Sequence, residues 1–103
     1  MSSKKWSASK VIVGLLECEG WVISSTSLKD KRRVIKSALT RIRNQFNLAV
    51  SEVGQQDDRQ RTILAVVGVG SNKQILESEL RQALRLLEET DGLEIINTDL
   101  TYM

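Results

Sequence analysis

"SLKDKRRVIKSALTRIRNQF", residues 27–46, is the stretch on which the fold turns. Leu28, Ile35, Leu39, Ile42 and Phe46 recur at helical spacing and line one stripe. Ser27, with Asp30 three positions later, makes a capping-box-like start in which aspartate replaces the usual Glu or Gln. The spacing predicts a single helix. On either side the composition is that of strands: "KVIVGLLECEGWVI" (residues 10–23) before it and "NLAVSEV" (residues 47–53) after it. A helix between two strands is a β-α-β unit.

Further along, "GQQDDRQ" (residues 54–60) is a polar turn-forming loop and "RTILAVVGVG" (residues 61–70) a strongly apolar strand, so the loop joins residues 47–53 and 61–70 as a hairpin. Ser71 and Gln74 form a second capping pair, and Leu76, Leu80, Ala83 and Leu87 give a second helical stripe. Asp91-Gly92 ends that helix, with Gly92 suited to the left-handed C′ position. "LEIINTDLTY" (residues 93–102) reads as a last strand. The order β-α-β-β-α-β predicts an α+β sandwich of ferredoxin-like type, a four-stranded antiparallel sheet with both helices on one face. Residues 10–103 form one domain on this reading, and residues 1–9 a flexible basic leader.

One pattern does not suit an isolated two-layer domain. By the two-residue period Ile12, Leu16 and Cys18 face the core. Val11, Val13 and Leu15 then share the far face with Glu17, Glu19 and Trp21. "ILAVVGV" is likewise apolar on both faces. An apolar far face calls for a cover, and a second subunit supplies one. The expectation is a homo-oligomer, a dimer favoured, with Val11, Val13 and Leu15 at its interface. The alternative cover is the leader, through Trp6.

The chain's 103 residues suit one modest core. There is no histidine, which removes the usual acid/base group near neutral pH and the commonest transition-metal ligand. Cys18 is the only cysteine, so no intrachain disulfide forms. No apolar run approaches the roughly 20 residues that cross a bilayer, and no apolar signal core follows the basic N-terminus. The expectations are therefore a cytoplasmic protein with no catalytic residues, no cofactor, no metal and no membrane partner. Glu17 and Glu19 are a weak metal seed without convergent ligands. "GVGSNK" (residues 68–73) lacks phosphate-loop spacing and reads as a turn with Ser71 as N-cap. Glu52, Asp57, Asp58, Arg59 and Arg61 read as a solvated hairpin tip, or second as a partner-binding loop.

The first helix carries the sharpest functional signal. Lys29, Lys31, Arg32, Arg33, Lys36, Arg41 and Arg43 stand against Asp30 alone, a local excess of six positive charges. The whole chain carries +2, so the remainder is net acidic by four. At about 100° per residue, Lys29, Arg32, Arg33, Lys36 and Arg43 fall in one arc beside the apolar stripe. Cations spaced over several turns of a rigid element suit successive phosphates, in salt-sensitive and sequence-independent contacts. The competing readings are a solvated face and an acidic protein partner. Cations in the first turn oppose the helix dipole, which leans the choice toward function. No aromatic RNA-binding pattern occupies the central strands.

The text "ECEGWVISSTSLKDKRRVIKSALTRIRNQFNLAVSEV" (residues 17–53), followed by "QDDRQRT" (residues 56–62), resembles the YlxP-like family of small uncharacterised bacterial proteins. The resemblance runs from about Val11 to the C-terminus. Its most specific pieces are "SLKDKR" before the basic helix and "FNLAVSEV" after it. Arg59 departs from it, standing where the family pattern has an aromatic, commonly Trp. The resemblance implies a ferredoxin-like fold and supplies no activity, cofactor or catalytic residue. The family's genes often lie beside translation-initiation and ribosome-maturation genes. That implies RNA or the ribosome as partner, and Lys29, Arg32, Arg33, Lys36 and Arg43 as the contact surface.

Overall fold

Alternation of core-facing and outward residues builds the first strand, β1 (Ile12–Val22), in a computed structural model that describes residues 10–103. The leader expected over residues 1–9 lies outside the described residues. There follow α1 (Leu28–Gln45), β2 (Ala49–Gly54), β3 (Arg61–Gly70), α2 (Lys73–Glu88) and β4 (Leu93–Tyr102). The sheet order is β2-β3-β1-β4 and every neighbouring pair is antiparallel. This is the ferredoxin-like α+β sandwich that the element order predicts. No helix among the described residues is long and apolar enough to cross a membrane.

One face of the sheet holds the core. Leu16, Cys18 and Val22 of β1 meet Leu64 and Val66 of β3, with Ile35, Ala38 and Ile42 of α1 and Leu76, Leu80 and Leu87 of α2 above them. Each fully buried Leu or Ile here stabilises the fold by about 2 kcal/mol relative to exposure. Gly14 and Gly68 face each other across β1 and β3. A Cβ on Gly68 would come within 2.7 Å of Leu76 Cδ1, and one on Gly14 within 2.7 Å of Leu80 Cδ1. The two bare positions let α2 settle its leucines directly onto the sheet.

The helix ends follow their caps, with local differences from expectation. Ser27 Oγ accepts from the Asp30 amide at 3.1 Å, as the capping box requires. The Asp30 carboxylate, however, takes the Thr26 hydroxyl at 3.0 Å as a partner, one residue further back than the reciprocal arm of that motif. In α2 the N-cap is Asn72 rather than Ser71: Asn72 Oδ1 accepts from the Ile75 amide at 3.0 Å. An asparagine oxygen caps as well as a serine hydroxyl, so the two positions compete on equal terms in sequence. Gly92 is left-handed at φ +83°, but in the turn beyond the helix, α2 having been capped already by Glu89.

The far face is apolar, as the period predicts. Val13, Leu15, Ile63, Ala65 and Val67 lie half-buried on it, and Val69 is 66% exposed. Leu15 is opposite Val67, which is in turn opposite Ala49. Val11 precedes β1 and is 62% exposed.

Candidate functional site

The outward arc of α1 is where the sequence concentrates positive charge. Lys29, Arg32, Arg33, Lys36 and Arg43 are all exposed there. The Ile35, Ala38 and Ile42 side holds the helix against the sheet and turns the arc outward. Among the described residues, Lys29, Arg32 and Lys36 enter no ion pair. Arg33 pairs with Asp30 at 3.0 Å on the open surface, an interaction of little energy in water. The Thr26 hydroxyl and, less strongly, Arg33 hold the Asp30 carboxyl below the usual carboxylate range. Arg43 Nη2 donates to the Val50 carbonyl of β2 at 3.2 Å, which anchors one end of the arc to the sheet edge.

Two of the seven cations of α1 stand apart. Arg41 lies off the arc and shares with Arg33 a hollow lined by Glu89 and Asp91 beside the end of α2. Lys31 is 1% exposed and points into the molecule. Its Nζ lies 3.1 Å from Glu52 Oε2 and donates to the Gln55 carbonyl; Thr62 Oγ1 donates to the same Glu52 oxygen at 2.6 Å. Glu52 is therefore no part of a solvated hairpin tip. It sits on the core side of β2 as the counterion of Lys31. The local excess of α1 overstates its outward charge by that one residue.

The hairpin connection itself is ordered by Asp58, whose Oδ1 accepts from the amides of Gln60 at 2.8 Å and Arg61 at 2.7 Å. Those amides, Arg61's foremost, keep its carboxyl below the ordinary range. Arg59 is exposed in this connection. On the far face the Arg61 guanidinium stacks over Trp21, 5.1 Å from the ring centre. Glu17 stands opposite Asp99, and Glu19 accepts from Asn97 Nδ2 at 2.8 Å. Cys18 points the other way, into the core; burial, and then the charge of Glu88, pushes its thiol up to about 12.

Three stretches singled out by sequence meet at one point. "SLKDKR" supplies Lys31, "FNLAVSEV" supplies Glu52 and "QDDRQRT" supplies Thr62. Sequence reading counted Lys31 in the helix's positive charge and left it off the five-residue arc. Its helical position between Ile35, Ala38 and Ile42 was the available sign, together with Glu52 sharing the core-facing parity of Leu48 and Val50.

Comparison with known proteins bears on the family and the fold. The "Uncharacterized protein YlxP" of Bacillus subtilis (strain 168) is 39% identical over 83 residues, covering 81% of this chain and 90% of that one. Among solved structures, the de novo designed protein Foldit4 is 14% identical with a TM-score of 0.54, over 91% of this chain and 97% of that chain. At that identity the likeness concerns the fold alone. The designed protein LFR1 1, with a ferredoxin fold, matches 91% of this chain and 84% of its own at 14% identity and a TM-score of 0.45. Residues 13–100 match the family described as "Protein of unknown function (DUF503)", and the chain belongs to that family.

Proposed function

We propose that the protein is a non-enzymatic binding module of the cytoplasm that contacts structured RNA, ribosomal RNA foremost, with the outward face of α1. The observation that carries this reading is the cluster of exposed Lys29, Arg32 and Lys36 without an ion pair among the described residues, flanked by Arg33 and Arg43. These side chains cover about 20 Å of helix between Lys29 and Arg43 at 1.5 Å per residue. Arg supplies a planar fork for phosphate oxygens and Lys a mobile point charge. The exposed arc holds no aromatic on which bases stack, so contacts to phosphate and sugar carry the binding.

Filter binding to bacterial ribosomal RNA tests the reading. Native protein is expected to bind at low salt and to weaken steeply as salt rises. Reversing Arg32→Glu, Arg33→Glu and Lys36→Glu together should weaken binding at least about tenfold and flatten the salt slope by roughly one unit per lost phosphate contact. Native protein binding no more tightly than that triple variant would overturn the proposal.

A second reading is favoured by the apolar far face: a homo-oligomeric interaction module, with Val11, Val13 and Leu15 against a second copy and the basic helix against an acidic protein. Val69 at 66% exposure and Val53 at 52% extend that face. A complex that survives nuclease treatment of a lysate supports this reading over the first.

A further inference from the structure

The two edges of the sheet are finished differently. Along β2, Arg43 donates to the Val50 carbonyl at 3.2 Å. Ser51 Oγ and Gln56 Nε2 both donate to the Glu52 carbonyl at 3.3 Å. The register also slips between Glu52 and Gly54. Side chains thus occupy what an incoming strand needs, whereas a bulge marks both edge strands, that of β4 falling at Ile96. β4, ten residues long, contains no Lys, Arg or Pro. Among the described residues its side-chain hydrogen bonds run to other side chains, Asn97 to Glu19 and Tyr102 to Glu77, and none caps its outer backbone.

The direction of the β4 amides follows from its pairing. Val13 and Met103 exchange both backbone hydrogen bonds, at 3.2 and 2.8 Å. By alternation Thr101, Asp99 and Asn97, opposite Leu15, Glu17 and Glu19, turn their amides toward β1. Thr98, Leu100 and Tyr102 therefore turn theirs outward. A bare strand of this length is a template for pairing with another strand.

We propose that β4 is a dimerisation edge, pairing antiparallel with β4 of a second copy about a two-fold axis at Thr98, so that two four-stranded sheets become one. The occupant is argued from self-complementarity. Centring on Thr98 sets Thr98 against Thr98 of the partner subunit, with outward amides meeting outward carbonyls. It also sets Asn97 against Asp99 of the partner subunit twice, an amide donor facing a carboxylate. Ile96, 42% exposed, is the bulged residue of β4, and Leu100 of the partner subunit comes beside it. Centring on Asp99 would press two carboxylates together, and centring on Asn97 would set Asp99 against an isoleucine. This edge is separate from the α1 arc and from the far face, and stands independently of both readings above.

Sedimentation equilibrium of the full chain at tens of micromolar, with two variants, tests it. Native protein is expected at twice the chain mass. Thr98→Pro removes an outward N–H that β1 does not use, a substitution an edge strand accepts, and is expected at the chain mass. Thr98→Cys brings two thiols together across a hydrogen-bonded pair whose Cα atoms lie about 5.5 Å apart, inside the disulfide range. Mild oxidation should cross-link it into a dimer in high yield, while an Asp99→Cys control stays largely monomeric on a non-reducing gel. Cys18 stands directly across β1 from Thr98, so both cysteine variants are made in a Cys18→Ala background, which leaves the introduced thiol no intrachain partner. A native monomer at this concentration, or a Thr98→Pro chain that keeps the dimer mass, overturns the proposal. So does cross-linking of Thr98→Cys no greater than the control, which decides alone if the proline variant fails to fold.

Discussion

The Lys31 ammonium lies 3.1 Å from the Glu52 carboxylate, with 1% of the lysine side chain and 16% of the glutamate side chain exposed. Lys31 also donates to the carbonyl of Gln55, a residue held at φ +58° in the left-handed region. One side chain of α1 thereby fixes the start of the β2–β3 connection. Removing either partner leaves the other charge buried and unpaired, which costs about 3–5 kcal/mol. Glu52→Ala should lower the unfolding free energy obtained from urea titration by an amount in that range. Lys31→Met combined with Glu52→Leu should recover only part of it, because the Gln55 carbonyl and the Thr62 hydroxyl lose their partners. A cost for Glu52→Ala below about 1 kcal/mol would show that the pair does not hold the connection in place.

Asp58 predicts a pH dependence. Its carboxyl is held below the ordinary range by the amides of Arg61 and Gln60, with the charges of Lys31 and Arg61 adding to them. A depressed folded value means that the native state favours the ionised form. The resulting stability is present above the unfolded carboxylate value and is lost as pH falls through the folded one. Asp58→Ala should therefore cost stability near neutral pH and cost progressively less below about pH 4. Urea titrations near neutrality and at about pH 2.5 measure the difference. An equal cost at both would assign the effect to packing of the turn and not to ionisation.

Cys18 reports on unfolding. Its thiol is buried and pushed up to about 12, so the native protein presents almost no thiolate at mildly alkaline pH. Modification by an aromatic disulfide reagent should follow the opening of the β1–α2 core and accelerate with urea in step with global unfolding. Full labelling of the native protein within seconds would contradict this placement.

The fold was legible because its periods are clean. β1 alternates between a core set and an outer set, the two helical stripes carry Leu and Ile at the required spacing, and polar turns separate the elements. Less legible was anything set by contact between distant segments. Lys31 lies in a run of cations, and nothing within α1 says that a glutamate on the next strand neutralises it. The Arg43 bond to the Val50 carbonyl depends likewise on where β2 runs. The N-cap of α2 moved by one residue because adjacent Ser and Asn both satisfy the same geometry. For the candidate site, five outward cations were correctly placed on one exposed arc, while their relation to a plugged sheet edge emerged only from tertiary structure.

That relation has a consequence for how the molecule travels. α1 runs beside β2 at one side of the sheet, while β4 at the other carries Glu94 and Asp99 and no base, with Glu17 and Glu19 on the neighbouring strand. The charge separation gives the protein an electric moment lying across its strands. In the field of a large polyanion such a body experiences a torque before it makes any contact. A single chain then swings its α1 side forward and trails β4 behind, which leaves that strand free to receive a second copy.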